Sequence, residues 1–166
     1  MRFLATFFIV IVLFSFVSCG RRELPPCEDV LNEMMDAEVG LPAGKTYSLR
    51  ATRGENEFLS ESLINSLYGE GGVPPMREGW LDIALFMPLS AHPCELAVFL
   101  CNSSDTAKDT ARLLCRRLDI IRVARGGEQY VSIIDNAKIA VVGNYVLFIV
   151  SSDSENCLKA AKKALR

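Results

Sequence analysis

The apolar positions of this chain change period several times, and each change marks an element. A nearly unbroken apolar run, Phe3 to Val17, comes first, interrupted only by Thr6 and Ser15. After a short stretch with two prolines, "CEDVLNEMMDA" places Val30, Leu31 and Met34 on one helical face, with Glu28 and Asp29 in the first turn. Gly40, Pro42 and Gly44 mark a loop. A second helix is expected over "FLSESLINSLYG", where Leu59, Leu63, Ile64 and Leu67 recur at helical spacing and Gly69 supplies a stop. The stretch "GEGGVPPMREG" breaks the chain again.

From Trp80 the pattern is that of strands. "WLDIALFM" and "ELAVFLC" flank the loop "PLSAHPC". "DTAKDTARLLCRRLDIIR" then predicts a long helix with Ala107, Ala111, Leu114, Leu118 and Ile121 as its buried stripe, and Gly126-Gly127 closes that unit. In "AKIAVVGNYVLFIV", Gly143-Asn144 separates two β-branched, aromatic-rich runs, a two-residue hairpin signal. A last helix follows, with Ser152 and Glu155 at capping-box spacing and a stripe of Cys157, Leu158, Ala161, Ala164 and Leu165. The two halves echo each other, with "CNSSD" before one helix and "IVSSD" before the other. The order ββαββα predicts an α+β fold: a four-stranded, mainly antiparallel sheet with these two helices on one face. Strands apolar on both sides need a second cover, assigned to the N-terminal helices.

The opening run changes the picture of where the domain resides. About fifteen apolar residues make a helix of roughly 22 Å, short of a hydrocarbon core of roughly 30 Å. With Arg2 before it, the run fits a secretory signal peptide. Phe16-Val17-Ser18-Cys19 then has the form of a bacterial lipobox, in which the cysteine thiol receives diacylglycerol before cleavage. The expected division is a signal peptide over 1–18, a lipidated N-terminus and tether over 19–26, and a single globular domain over 27–166. An uncleaved signal anchor is the rival, favoured by Arg21 and Arg22, because basic flanks tend to stay in the cytoplasm. Cleavage by ordinary signal peptidase with full secretion is a third reading.

Charge and cysteine content narrow the rest. The formal net charge is −2, and loss of the leader removes only Arg2, so no nucleic-acid partner is indicated. Six cysteines are present, and lipidation of Cys19 leaves an odd number. No Cys-x-x-Cys pair offers a zinc or redox motif, and no metal site or cofactor is expected. Cys101, Cys115 and Cys157 lie on apolar strand or helix positions and read as small buried hydrophobes. Cys27 and Cys94 stand in polar surroundings and are the candidates for reactivity or bridging.

The one cluster of reactive residue types is "HPCE": His92, Cys94 and Glu95. A Cys-His pair can activate a thiol nucleophile, and the three side chains can supply one arm of a metal site. Against this, no second histidine exists, and Pro93 suits an ordinary loop. Lys108, Arg112, Arg116 and Arg117, followed by Arg122 and Arg125, read as the solvated side of the long helix, with anionic headgroups or cell-wall polymers as the alternative contact.

Several landmarks together resemble a known family. "SLYG", the strand "CELAVF", the arginines of "RRL" and above all "AKIAVVGNYVLFIVSSD" resemble domain of unknown function 4358, small lipoproteins of anaerobic Gram-positive bacteria. Its pattern falls on Tyr68-Gly69, Glu95, Arg117 (or Arg116) and Gly143-Asn144-Tyr145-Val146. The resemblance implies a lipid-anchored extracytoplasmic domain and carries no catalytic residues with it. The reading that follows is a lipoprotein on the outer face of the cytoplasmic membrane. It is held by a diacylglyceryl-Cys19 and acts as a non-enzymatic interaction or accessory module toward an envelope protein or cell-wall polymer. The alternative is a small thiol- or metal-dependent envelope enzyme using His92, Cys94 and Glu95. A solute-binding lipoprotein is disfavoured, since those generally close two lobes around a ligand.

Overall fold

A computed structural model describes residues 24–69, 75 and 77–166. Five strands form one sheet in the order β1-β2-β3-β5-β4, every neighbouring pair antiparallel. They are β1 (Gly44–Ser48), β2 (Trp80–Pro88), β3 (Glu95–Cys101), β4 (Lys138–Val142) and β5 (Tyr145–Val150). Five helices accompany them: α1 (Cys27–Ala37), α2 (Glu61–Tyr68), α3 (Ser104–Arg125), α4 (Val131–Asp135) and α5 (Ser154–Ala164). The fold is therefore α+β, with one strand more than the four expected.

The extra strand is β1, in a stretch whose glycines and proline suggested a loop. Its sequence GKTYS has no apolar run, and it is a strand because it pairs with β2, from Gly44 opposite Pro88 to Ser48 opposite Ala84. Gly44 is required there: a Cβ would lie 2.2 Å from Phe86 Cζ and 2.6 Å from the Met87 carbonyl oxygen. The short α4 and the 3-10 turn before it (Glu128–Tyr130) also lie where only a break was expected.

Side-chain alternation along the two central strands builds two cores. On β3, Ala97, Phe99 and Cys101 face one side, while Leu96, Val98 and Leu100 face the other. On β5, Val146, Phe148 and Val150 oppose Tyr145, Leu147 and Ile149 in the same way. Both strands are buried throughout, so each sheet face needs a helical layer. Each large side chain fully buried here, such as Phe99 or Phe148, contributes about 1.5–3 kcal/mol relative to exposure.

The helices divide differently from the expectation. Ile64, Leu67 and Tyr68 of α2 join Ala107, Leu114 and Ile121 of α3 and Ile134 of α4 on the Phe99 face. Val30, Leu31 and Met34 of α1 join Cys157 and Ala161 of α5 on the Leu147 face. The two long helices, α3 and α5, thus lie on opposite faces rather than one, and the N-terminal helices are split between them. The reason is that both sheet faces are equally apolar, so one long helix on each buries more than two on one side. α3 links β3 to β4, which run in the same direction on either side of β5, and it covers β5 as it crosses.

Turn chemistry follows the sequence at one end and departs from it at the other. Gly143 opens the β4–β5 hairpin with φ +59°, which a non-glycine residue adopts only with strain. Ser103 and Ser60 cap α3 and α2 by accepting from the Thr106 and Leu63 N–H groups. Ser152 does not cap α5; the N-cap is Asp153, whose side chain makes no capping bond. Ser152 instead donates to the carboxylate of Glu38, the residue just after α1.

Candidate functional site

Glu95 opens β3 on the face toward α3, and its side chain is fully buried. Its partner is Arg117, half-way along α3. Arg117 Nε donates to both carboxylate oxygens at 3.1 and 3.2 Å, and Nη2 donates to Oε2 at 2.6 Å. Arg117 is 8% exposed, which corrects its assignment to the polar side of the helix. Three charge-assisted bonds with fixed fork geometry offset the cost of taking both ions out of water.

Tyr68, the last residue of α2, closes the same cluster. Its ring stands edge-on to Phe99 at 5.5 Å and to Trp80 at 6.3 Å. Its hydroxyl is buried beside the Glu95 carboxylate but makes no hydrogen bond of good geometry among the described residues. Burial first, and then the Glu95 charge, push its pKa well above the ordinary value, so it stays protonated. Trp80 in turn donates from Nε1 to Thr110 Oγ1 at 2.7 Å, and Thr110 Oγ1 lies 3.6 Å from Cys101 Sγ. Tyr68, Glu95 and Arg117 therefore meet in one buried polar cluster inside the Phe99 core.

The "HPCE" residues do not converge. Cys94 packs in the Leu147 core, whereas Glu95, one position on, points to the opposite face. His92 Nδ1 accepts from the Cys94 backbone N–H at 3.1 Å, a local loop contact, and its ring stands edge-on to Tyr130 at 4.8 Å. Partial burial, with the Arg125 charge, lowers the His92 pKa against the pull of Glu38. Cys94 is 1% exposed, and burial pushes its thiol up to about 12, so the thiolate needed for nucleophilic attack does not form near neutrality.

The remaining thiols correct the sequence reading too. Cys27, expected in polar surroundings as a reactive or bridging thiol, is a buried free thiol in the Leu147 core, and desolvation together with the Asp82 charge raises its pKa. Cys101 and Cys157 are buried as expected, whereas Cys115 is exposed on α3. All five described cysteines are free thiols. Cys19 lies outside the described residues.

Two more carboxylates, neither singled out by the sequence, hold α1 at both ends. At its start, Asp82 of β2 accepts from the Cys27 N–H at 3.0 Å and from Arg50 Nε at 2.9 Å. Asp82 thus does the work of a helix cap from a neighbouring strand, next to the Trp80/Asp82 register shift. At its end, Glu38 reaches the N-terminus of α5. It accepts from the Ser152 and Asp153 N–H groups, each at 3.1 Å, from the Ser152 hydroxyl, and from Cys157 Sγ at 3.4 Å. Burial opposes its charge, but these bonds outweigh burial and hold its pKa below the ordinary carboxylate value.

On the outer side of α3, Lys108, Arg112 and Arg122 pair with Asp105, Asp109 and Asp119 one turn earlier. Arg125 instead donates to the His92 carbonyl at 2.9 Å. Among the described residues, no group of three His, Cys, Asp or Glu side chains is placed to hold a metal ion. No described helix is long and apolar enough to cross a membrane. Compared with family models, with curated proteins and with solved structures, the chain matches none.

Proposed function

We propose that this chain is a lipid-anchored extracytoplasmic protein, acting as a non-enzymatic interaction or accessory module at the cell envelope. The observation that carries the reading is Phe16-Val17-Ser18-Cys19 at the end of an apolar run too short to span a bilayer. The resemblance to the family of small lipoproteins points the same way. So does the use of the buried charges: Glu95 on Arg117, Asp82 on α1 and Arg50, and Glu38 on α5 are each engaged in joining elements of the fold. The partner in this reading is an envelope protein or a cell-wall polymer.

Fatty-acid labelling of wild type and Cys19→Ala tests it. The wild type is expected to carry label and to fractionate with membranes, and Cys19→Ala is expected to do neither. A wild type without label overturns both anchor and location. For the rival enzyme reading, His92→Ala is the decisive variant, because the ring is partly exposed and its loss should leave the fold intact. An unchanged phenotype removes that reading.

A further inference from the structure

We propose that one end of the sheet is the membrane-facing surface of this domain, apposed to the lipid headgroups with the strands upright. The proposal rests on lipidation at Cys19. The N-terminal entry into the fold is anchored at that end. Tyr145 Oη donates to the Pro25 carbonyl at 2.6 Å, and the Cys27 N–H donates to Asp82 at 3.0 Å. Tyr145 begins β5, opposite Leu100 near the end of β3, and Trp80 at the start of β2 faces Cys101. Arg50, just beyond β1, reaches Asp82 from the same side. The Gly143-Asn144 hairpin lies there as well. The opposite end holds the β2–β3 loop and the Glu38–Ser152 junction.

The tether is too short to let the domain turn over. From Cys19 to Leu24 the chain spans at most about 18 Å when fully extended. A domain of this length is roughly 35–40 Å across. Leu24 therefore stays within about 18 Å of the bilayer, which allows an upright or a flat-lying domain but not an inverted one. Two features favour the upright posture over one lying flat. α1 runs from the Asp82 end of the sheet to the Ser152 end, and Tyr145 holds the Pro25 carbonyl at the first of these, so the chain enters the fold at that end. Leu24 and Leu81 are large apolar side chains exposed at this end, at 57% and 61%, and both suit a headgroup interface.

Leu81 and Leu89 provide matched reporters. Leu81 lies in β2 and Leu89 directly follows it, so the two are about 26 Å apart by strand rise. Both are exposed, at 61% and 68%. In the full chain carrying Cys115→Ser, which removes the exposed described thiol, Leu81→Cys and Leu89→Cys are labelled separately with a fluorophore. The lipidated proteins are then reconstituted in phosphatidylcholine/phosphatidylglycerol vesicles containing a short-range quencher on the headgroup. Several-fold stronger quenching at position 81 than at 89 is the expected result. Equal quenching in protein that floats with the vesicles overturns the upright orientation and leaves the anchor standing. Failure to float, matching a Cys19→Ala control, overturns the anchor and the orientation with it.

Discussion

Arg117 and Glu95 meet through three hydrogen bonds in the core, although one belongs to the middle of a helix and the other to the start of a strand. Because the pair is sealed, deleting one member leaves the other charged and unsatisfied. Arg117→Leu is expected to lower stability by about 3–5 kcal/mol. The double variant Glu95→Leu/Arg117→Leu should recover most of that loss, since it removes both buried charges. Urea denaturation midpoints of the two proteins decide it. A single variant that costs under about 1 kcal/mol would show that the pair is wet.

Tyr68 shares that cluster but carries the opposite expectation. Its hydroxyl is buried without a hydrogen bond of good geometry among the described residues, so removing it relieves an unmade hydrogen bond at a cost of only its own small volume. Tyr68→Phe is expected to be neutral or stabilising by up to about 1 kcal/mol, while Tyr68→Ala loses the ring contacts with Phe99 and Trp80 and should cost about 3–5 kcal/mol. Loss of more than about 1 kcal/mol in Tyr68→Phe would mean that the hydroxyl has a partner.

Glu38 makes the junction of α1 with α5 dependent on pH. Its folded pKa is held below the unfolded value of 4.5, so the stability it contributes is complete above that value. That contribution is lost as pH falls through the folded pKa, when the carboxylate can no longer accept from the Ser152 and Asp153 N–H groups. Glu38→Gln is expected to cost about 1–2 kcal/mol at neutral pH. It should also flatten the acid limb of the stability profile between neutrality and the most acidic conditions. Thermal melts of both proteins across that range test it, and parallel curves would exclude Glu38 as the source.

Elements declared by local patterning were legible in the sequence. The hairpin was fixed in place by Gly143-Asn144 between two β-branched runs, and the apolar runs of β2, β3 and β5 had no alternative to burial. β1 was hidden because GKTYS becomes a strand only by pairing with β2, some forty positions later. The placement of α3 and α5 was hidden by symmetry: a strand such as β5, apolar on both faces, does not say which helix covers which side. At the site, Glu95 was visible as a charged residue before an apolar run, but its neighbours His92 and Cys94 suggested the wrong companions. Consecutive strand positions face opposite ways, and its actual partner lies 22 positions on. Arg117 resembled its solvated neighbours on α3, and nothing in the spacing marked Glu38 or Asp82.

Thiol chemistry provides a test that reads the fold and the anchor in one measurement. Cys27, Cys94, Cys101 and Cys157 are buried, and burial raises the pKa of each, with Cys94 and Cys157 reaching about 12. Cys115 is exposed. In the natively folded full chain, iodoacetamide at neutral pH is therefore expected to modify Cys115 and to leave those four intact over the same interval. After denaturation all five should react, while Cys19, occupied by its thioether in the proposed lipoprotein, should not. Peptide mass spectrometry separates the cases. Rapid native alkylation of Cys94 would contradict its burial, and alkylation of Cys19 in the denatured protein would show that the thiol was never lipidated.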